Sequence, residues 1–221
     1  MKSGYLLINK PKDWTSFDVV KKVRGALKIK KIGHTGTLDP FATGLLIVLI
    51  NKATKLNESM MMLDKEYIAL SKFGILTDTG DMTGNIVKEE EPKIVSKEDF
   101  EEMIPQILMI NKQVPSKFSA IKINGKQAYK LARAGKEFDV PEREIKIKEF
   151  ELLEYEFPYF KWRAVVTKGT YIRTLTEQIA EMFGNVAVTT ELERTKIGEF
   201  HLKNSIGIAD LREDIEFYCE L

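Results

Sequence analysis

The stretch Gly33-His34-Thr35-Gly36-Thr37-Leu38-Asp39-Pro40-Phe41-Ala42-Thr43-Gly44-Leu45-Leu46 decides how the rest of the chain is read. Three glycines, Gly33, Gly36 and Gly44, mark a backbone that turns tightly or passes very close to another segment. A histidine, three threonines and one carboxylate, Asp39, are set into this loop. It runs directly into Leu45-Leu46-Ile47-Val48-Leu49-Ile50, an unbroken apolar run of strand length, which predicts a strand buried on both faces. A polar loop anchored on a central strand is a natural place to hold reactive groups. Local sequence leaves three readings of Asp39 open. It can be a turn residue, since Asp-Pro commonly starts a turn. It can belong to a phosphate cradle, although the required Lys-Ser/Thr is replaced here by leucines after Gly44. It can be a catalytic carboxylate, acting as nucleophile or base.

The chain has 221 residues, 43% hydrophobic and 30% charged, enough to bury a full core. Its first ten residues read as a strand and not as a signal peptide. The longest apolar run is far below membrane-spanning length. The single cysteine, Cys219, excludes an internal disulfide and fits a reducing cytoplasm. Two histidines and that cysteine are too scattered to suggest a metal site. Net charge is only +1, but the charges are segregated. Lys21, Lys22, Arg24, Lys28, Lys30 and Lys31 lie in residues 19–38 without an intervening acid. Lys112, Lys117, Lys122, Lys126, Lys130, Arg133 and Lys136 form a second acid-free stretch. The acids gather in residues 89–102 and 210–220. This distribution suits a polyanion bound on one face.

Along the chain, residues 4–9 predict a strand. Thr15 or Ser16 then caps a helix with apolar positions Phe17, Val20, Val23 and Leu27. Residues 51–63 read as a second amphipathic helix, with Met60, Met61 and Met62 as core filler. Residues 65–73 alternate like a half-buried strand, and Asp78 and Asp81 cap turns in the glycine-punctuated stretch that follows. Ser96 and Asp99 form a capping box opening a helix that Pro105 should stop. The basic segment 113–141 is expected to be a partly helical insertion around a short helix, 128–133. Strands are expected at 144–155, 161–167 and 187–196, and a helix from about 172 to 183 ended by Gly184. After Phe200 there is room for one terminal helix.

Several separated motifs resemble those of the TruB-type tRNA pseudouridine synthases, and the likeness covers nearly the whole chain. The glycine loop resembles that family's signature loop, whose catalytic aspartate stands where Asp39 does. Lys10-Pro11 is similar to its amino-terminal Lys-Pro element, with Asp13 where glycine is usual. Lys65-Glu66-Tyr67 resembles the strand carrying an active-site tyrosine. Pro115-Ser116-Lys117-Phe118-Ser119-Ala120 is similar to the element opening an RNA-clasping thumb, with Ser116 replacing a second proline. Lys168-Gly169-Thr170-Tyr171-Ile172-Arg173 resembles the motif supplying a second tyrosine and the arginine that pairs with the catalytic carboxylate. Leu192-Glu193-Arg194 is similar to a strand whose leucine lines the uracil pocket.

The resemblance implies catalytic roles for Asp39, Arg173 and Tyr67. It implies substrate contacts for Tyr67, Leu192, His34 and Tyr171. His34 either occupies the space left by a flipped base or is a hydrogen-bonded turn residue. Tyr171 either bonds or simply packs, and Lys10 is structural or phosphate-facing. Lys122, Lys126 and Lys130 are expected on the RNA backbone. The implied fold class is α+β (mixed α/β): a mixed, mostly antiparallel sheet flanked by helices. One catalytic domain, 1–221, is expected, with a basic thumb at about 112–143 and without the carboxy-terminal RNA-binding PUA domain of many relatives. The implied activity is isomerisation of uridine to pseudouridine at position 55, in the T-loop of tRNA, by a cytoplasmic monomer. Neither metal nor other cofactor is expected, nor a membrane. The alternative is a tRNA-binding or tRNA-folding protein with little catalysis.

Overall fold

Residues 45–50 are all fully buried, and their side chains alternate between two hydrophobic clusters. Leu46, Val48 and Ile50 join Leu6, Ile8, Val19, Val20, Val23 and Leu27, while Leu45, Ile47 and Leu49 join Leu7, Ala53, Met60 and Ile197. A strand covered on both faces has no polar side to show, which is why the run carries no alternation. Each such side chain contributes about 1.5–3 kcal/mol on burial.

The computed structural model describes residues 3–119, 121–123 and 125–218. In chain order these form β1 (Gly4–Lys10), α1 (Ser16–Leu27), β2 (Ile32–Thr35), β3 (Thr43–Ile50), α2 (Asn57–Met62), β4 (Lys65–Phe73), β5 (Ile75–Thr77), β6 (Ile86–Glu89) and α3 (Lys97–Leu108). They continue with β7 (Lys112–Gln113), β8 (Lys122–Ile123), β9 (Lys126–Gln127), α4 (Ala128–Arg133), β10 (Arg143–Glu144), β11 (Ile147–Glu156), β12 (Tyr159–Val166), α5 (Ile172–Met182), β13 (Ala187–Ile197) and β14 (Phe200–His201). Cys219 and Ala120, singled out in the sequence, lie outside the described residues.

The chain divides into two units, residues 1–68 with 192–221, and residues 69–191; β4 and β13 each run from one into the other. In the first unit β3 is flanked by β1, antiparallel from Gly4↔Ile50 to Lys10↔Gly44, and by the end of β13, parallel at Glu193↔Thr43 and Arg194↔Gly44. The antiparallel β2 also pairs with β3. Thr15 caps α1 in a reciprocal capping box with Asp18. Gly44, at φ 104°, lies so close to β13 that a Cβ there would stand 2.4 Å from the Arg194 carbonyl oxygen. Asp13, in place of the family's usual glycine, adopts φ 65°, a left-handed conformation that aspartate tolerates better than most residues. In the second unit, β11 and β12 form an antiparallel pair and β5 and β6 a hairpin. Its core is aromatic: Phe100 lies 5.2 Å from the rings of both Phe160 and Phe183, and Phe150 stacks 5.2 Å from Trp162. A buried chain of hydroxyls satisfies the Trp162 indole, running Trp162 Nε1 to Ser71 Oγ, Thr176 Oγ1 and Thr189 Oγ1 at 3.0, 3.1 and 2.9 Å. The arrangement is the mixed, mostly antiparallel sheet with helices that the resemblance implies.

Four local expectations need correction. Phe17 is 56% exposed and Val19 takes its place in the core, because at the helical period Val19 lies nearer than Phe17 to the face set by Val20, Val23 and Leu27. Residues 51–62 divide into a 3₁₀ turn and the short α2, so Met60 is buried while Met61 and Met62 face outward. Pro105 does not end α3, which continues to Leu108. The missing N–H costs one hydrogen bond, but Phe100 and Ile107, both fully buried and seven residues apart, hold the last turn against the core. Among the described residues after Phe200, two single 3₁₀ turns and an irregular segment stand in place of a helix. Ile206, Ile208, Leu211, Ile215 and Phe217 pack on the α1 cluster at irregular spacing, and the backbone pairs with β1 at Tyr5 and Tyr218 (2.9 and 3.1 Å).

Gly44→Ala should destabilise the protein by about 2–4 kcal/mol, because its Cβ meets backbone and not a movable side chain. Urea unfolding checks this, and a change below about 0.5 kcal/mol would contradict it.

Candidate active site

The loop between β2 and β3 carries Asp39, and buried groups pin it along its length. Arg194 is 1% exposed; its Nε donates to the Leu45 carbonyl at 2.8 Å and its Nη2 to Gly36 at 3.2 Å. Ser16 Oγ accepts from Leu38 N–H at 2.9 Å and donates to the Leu38 carbonyl at 3.3 Å. Lys10 is fully buried and its Nζ donates to the carbonyls of Pro11, Trp14 and Pro40 at 2.9, 2.7 and 3.1 Å. Asp13 N–H adds a bond to Pro40 O at 2.8 Å, and Ala42 N–H one to Asp39 O at 3.1 Å. The half-buried Asp39 is thus held by backbone contacts on either side of it. Burial lowers the Lys10 pKa to about 8, against the pull of the nearby Asp39 and Asp13 charges. The Lys10 ammonium faces three carbonyls and not solvent.

His34 stands on β2, opposite Val48. Burial lowers its pKa, and the Arg194 charge lowers it further, so its surroundings favour the neutral imidazole. Tyr67 and Leu192, both buried, belong to β4 and β13; Thr43 Oγ1 reaches the Leu192 carbonyl at 3.5 Å. Thr195 Oγ1 bonds Glu66 Oε1 at 2.7 Å, which sets the residue before Tyr67 against the strand of Leu192 and Arg194. Lys10, His34, Asp39, Tyr67 and Leu192 therefore share the first unit.

Tyr171 and Arg173 belong to the second, at the start of α5. Arg173 is 4% exposed; its Nη1 donates to the Thr79 carbonyl and lies 3.5 Å from Asp81 Oδ2. Asp78 and Asp81 both stabilise turns, as expected. Asp78 accepts from Asn85 N–H at 2.9 Å and Asp81 from Thr83 N–H at 2.9 Å. Asp81 has the additional task of facing Arg173, which the turn reading did not anticipate. Glu177, one turn along α5 from Arg173, is pushed up to about 7 by burial, with Arg173 pulling it down and Glu181 up. Lys122, Lys126 and Lys130 are exposed on β8, β9 and α4 of the basic segment. Among the described residues no group of three or more His, Cys, Asp or Glu could hold a metal ion.

The sequence gives no site role to Arg194, Ser16, Asp81 or Gln113, the last of which holds Tyr171. Arg194 left a trace, being a long cation inside an otherwise strand-like run. The partners of the other three lie 22 to 92 residues away and leave no local signal.

The description "TruB family pseudouridylate synthase (N terminal domain)" matches residues 24–172. The chain belongs to the TruB family. Its relatives include tRNA pseudouridine synthase B of Fusobacterium nucleatum, 45% identical over 200 residues, covering 90% of this chain and 69% of that one. The protein of the same name from Parabacteroides distasonis is 41% identical, with 96% of this chain and 92% of that one covered. Among solved structures, an H/ACA RNP bound to a substrate RNA containing 2′-deoxyuridine contains a similar chain, with TM-score 0.70 and 26% identity over 94% of this chain. This chain spans about half of that one, 52%. The fold is that of the pseudouridine synthases.

Glu177 gives a pH test. Folded Glu177 keeps its proton to about pH 7, whereas an unfolded glutamate releases it near 4.5. Between these values the folded state binds more protons, so stability should fall as pH rises through the window. Glu177→Gln should remove that part of the decline. Urea midpoints from pH 5 to 8 that fall equally in both proteins would refute the assignment.

Proposed function

We propose that this protein is a tRNA pseudouridine synthase that isomerises the T-loop uridine, conventionally position 55. The observation that carries the proposal is the pinned loop: the backbone on either side of Asp39 is held by the buried Lys10, Ser16 and Arg194 side chains and by the Asp13 N–H, at the head of a fully buried strand. RNA binding alone does not require an anion fixed in this manner, whereas covalent or general-base chemistry does. The relatives at 41–45% identity carry the name tRNA pseudouridine synthase B, which supports tRNA over other RNA as substrate.

The reaction breaks the uridine N1–C1′ bond, turns the uracil and rejoins it to C1′ through C5. The proton leaving C5 is balanced by one gained at N1, so the product is an isomer and neither oxidant nor group donor is consumed. The base must first leave the stack, at a cost of a few kcal/mol. His34, whose burial favours the neutral imidazole, is proposed to fill the vacated space without adding a charge. Asp39 acts as the anion, at the sugar or the ring or as a base at C2′. Closing RNA over it removes water and opposes ionisation, and Arg173 is proposed to supply the compensating guanidinium. Asp81 would orient Arg173 from behind. Tyr67 offers a flat face to the uracil and a phenol near C5, Leu192 an apolar contact and Tyr171 a hydrogen-bonding or packing surface. Both units together form the proposed catalytic domain, with residues 112–143 as the thumb. The enzyme is proposed to act as a monomer on the tRNA T-arm in the cytoplasm. No helix among the described residues is long and apolar enough to cross a membrane.

Release of tritium from C5-labelled uridine in T-arm RNA by the protein alone tests the function directly. Asp39→Asn keeps shape but loses the anion, so turnover should disappear while RNA affinity stays within a few-fold. Turnover within a few-fold of wild type would remove Asp39 from the mechanism.

The exposed basic residues should carry the affinity. The thirteen of the two acid-free stretches, with a third to a half engaged, predict a slope of log affinity against log salt of roughly −3 to −6. Neutralising Lys122, Lys126 and Lys130 should flatten it by about two units and weaken different tRNAs alike. An unchanged slope would place the phosphate-binding surface elsewhere.

A further inference from the structure

The basic segment leaves and rejoins the second unit through the two-stranded ladder of β7 and β10, where Gln113 pairs with Arg143. Gln113 is 1% exposed, which is unusual for an amide unless it is fully bonded. Its Oε1 accepts from Tyr171 N–H at 2.9 Å and its Nε2 donates to the Tyr171 carbonyl at 3.2 Å, as a neighbouring strand would. The same Nε2 lies 3.1 Å from Gln178 Oε1, and Gln178 Nε2 donates back to the Lys112 carbonyl at 2.9 Å. From the other side of the ladder, the Arg143 guanidinium stands 5.6 Å over the Tyr171 ring and donates to the Gly169 carbonyl at 3.3 Å. Both residues of one ladder position therefore grip residues 169–171, the approach to α5. Tyr171 is the N-cap of that helix. In a capping box the N-cap N–H is satisfied by a side chain three residues on. Here Gln113, 58 residues earlier, performs that service. Arg173 follows two residues later.

We propose that Gln113, assisted by Arg143, is a positioning residue that ties the root of the RNA-clasping segment to Tyr171 and the first turn of α5. Seating of the segment on RNA is thereby transmitted to Tyr171 and Arg173. The inference rests on the function proposed above. Its chemistry is that of a shared anchor: RNA that orders the segment restricts the ladder, and the ladder has two holds on Tyr171. Displacements of about 1 Å in a positioning group can cost on the order of 100-fold in rate, so loss of the anchor should register in turnover before affinity.

The test uses Gln113→Leu, which keeps volume and loses both bonds, and Gln113→Glu, which keeps the acceptor for Tyr171 N–H. Single-turnover conversion of T-arm RNA, RNA affinity and amide exchange across residues 171–175 are measured on the folded proteins. We expect Gln113→Leu to bind RNA within about three-fold of wild type and to react roughly 10- to 100-fold more slowly. Gln113→Glu should recover part of the rate. RNA should slow exchange at Tyr171 in wild type and not in Gln113→Leu. A rate that is unchanged, or that falls only in step with RNA affinity or with the folded fraction, would overturn the inference while leaving the function intact. A wild type that binds T-arm RNA but converts none would refute the function instead. Exchange alone then decides for the Gln113 anchor: RNA-linked slowing at Tyr171 that persists in Gln113→Leu overturns it, and slowing that is lost upholds it.

Discussion

Two buried cations whose donors are met by backbone carbonyls are the constraint on which the rest of this architecture depends. Lys10 and Arg194 together engage five carbonyl groups, three of them in the loop and strand that carry Asp39. Burying an ammonium or a guanidinium is costly unless its donors are met, and a carbonyl is a weaker partner than a carboxylate. The lowered Lys10 pKa is the signature of that cost. In return, positive charge is fixed close to a carboxylate, and a loop rich in glycine and threonine is held in one conformation.

The same economy explains the glycines. Gly44 gives up a side chain so that β3 can approach Arg194 backbone to backbone, and Gly36 at φ 77° turns its carbonyl toward the Arg194 head group. An arginine on β13 therefore dictates small residues on a loop 150 positions earlier. The second unit follows a different plan. Its core is built from stacked rings, and beside the buried Arg173–Asp81 pair it holds hydroxyls and amides arranged in chains.

What could be read from sequence was local or strongly patterned. The burial of residues 45–50, a helix cap at Thr15 or Ser16, the capping box at Ser96, the bounds of α4 and the glycine stop after α5 each depend on a few neighbouring residues. The loop at Asp39 was recognisable because its whole fourteen-residue pattern is specific. The misread features are those that tertiary contact decides. Val19 replaces Phe17 in the core, Ile107 carries α3 past Pro105, and the irregular segment after Phe200 follows the shape of the α1 cluster and not a helical period. The supporting residues of the site were hidden for the same reason. Ser16 looks like a helix cap and Asp81 like a turn residue, and both are so, yet each has a second partner that only the fold supplies.

The two-sided burial of β3 has a consequence for motion. Because its side chains alternate between both clusters of the first unit, the strand cannot detach from one without leaving the other. Its amides, and those of the loop end that enters it, belong to the part of the protein that opens only when the whole unit does. The short ladders and single-turn helix around residues 122–133 have few such ties and belong at the opposite end of the opening scale. The protein thus separates rigidity from compliance along its chain: the loop of Asp39 leads into the doubly buried β3, whereas Lys122, Lys126 and Lys130 stand on short, lightly tied elements.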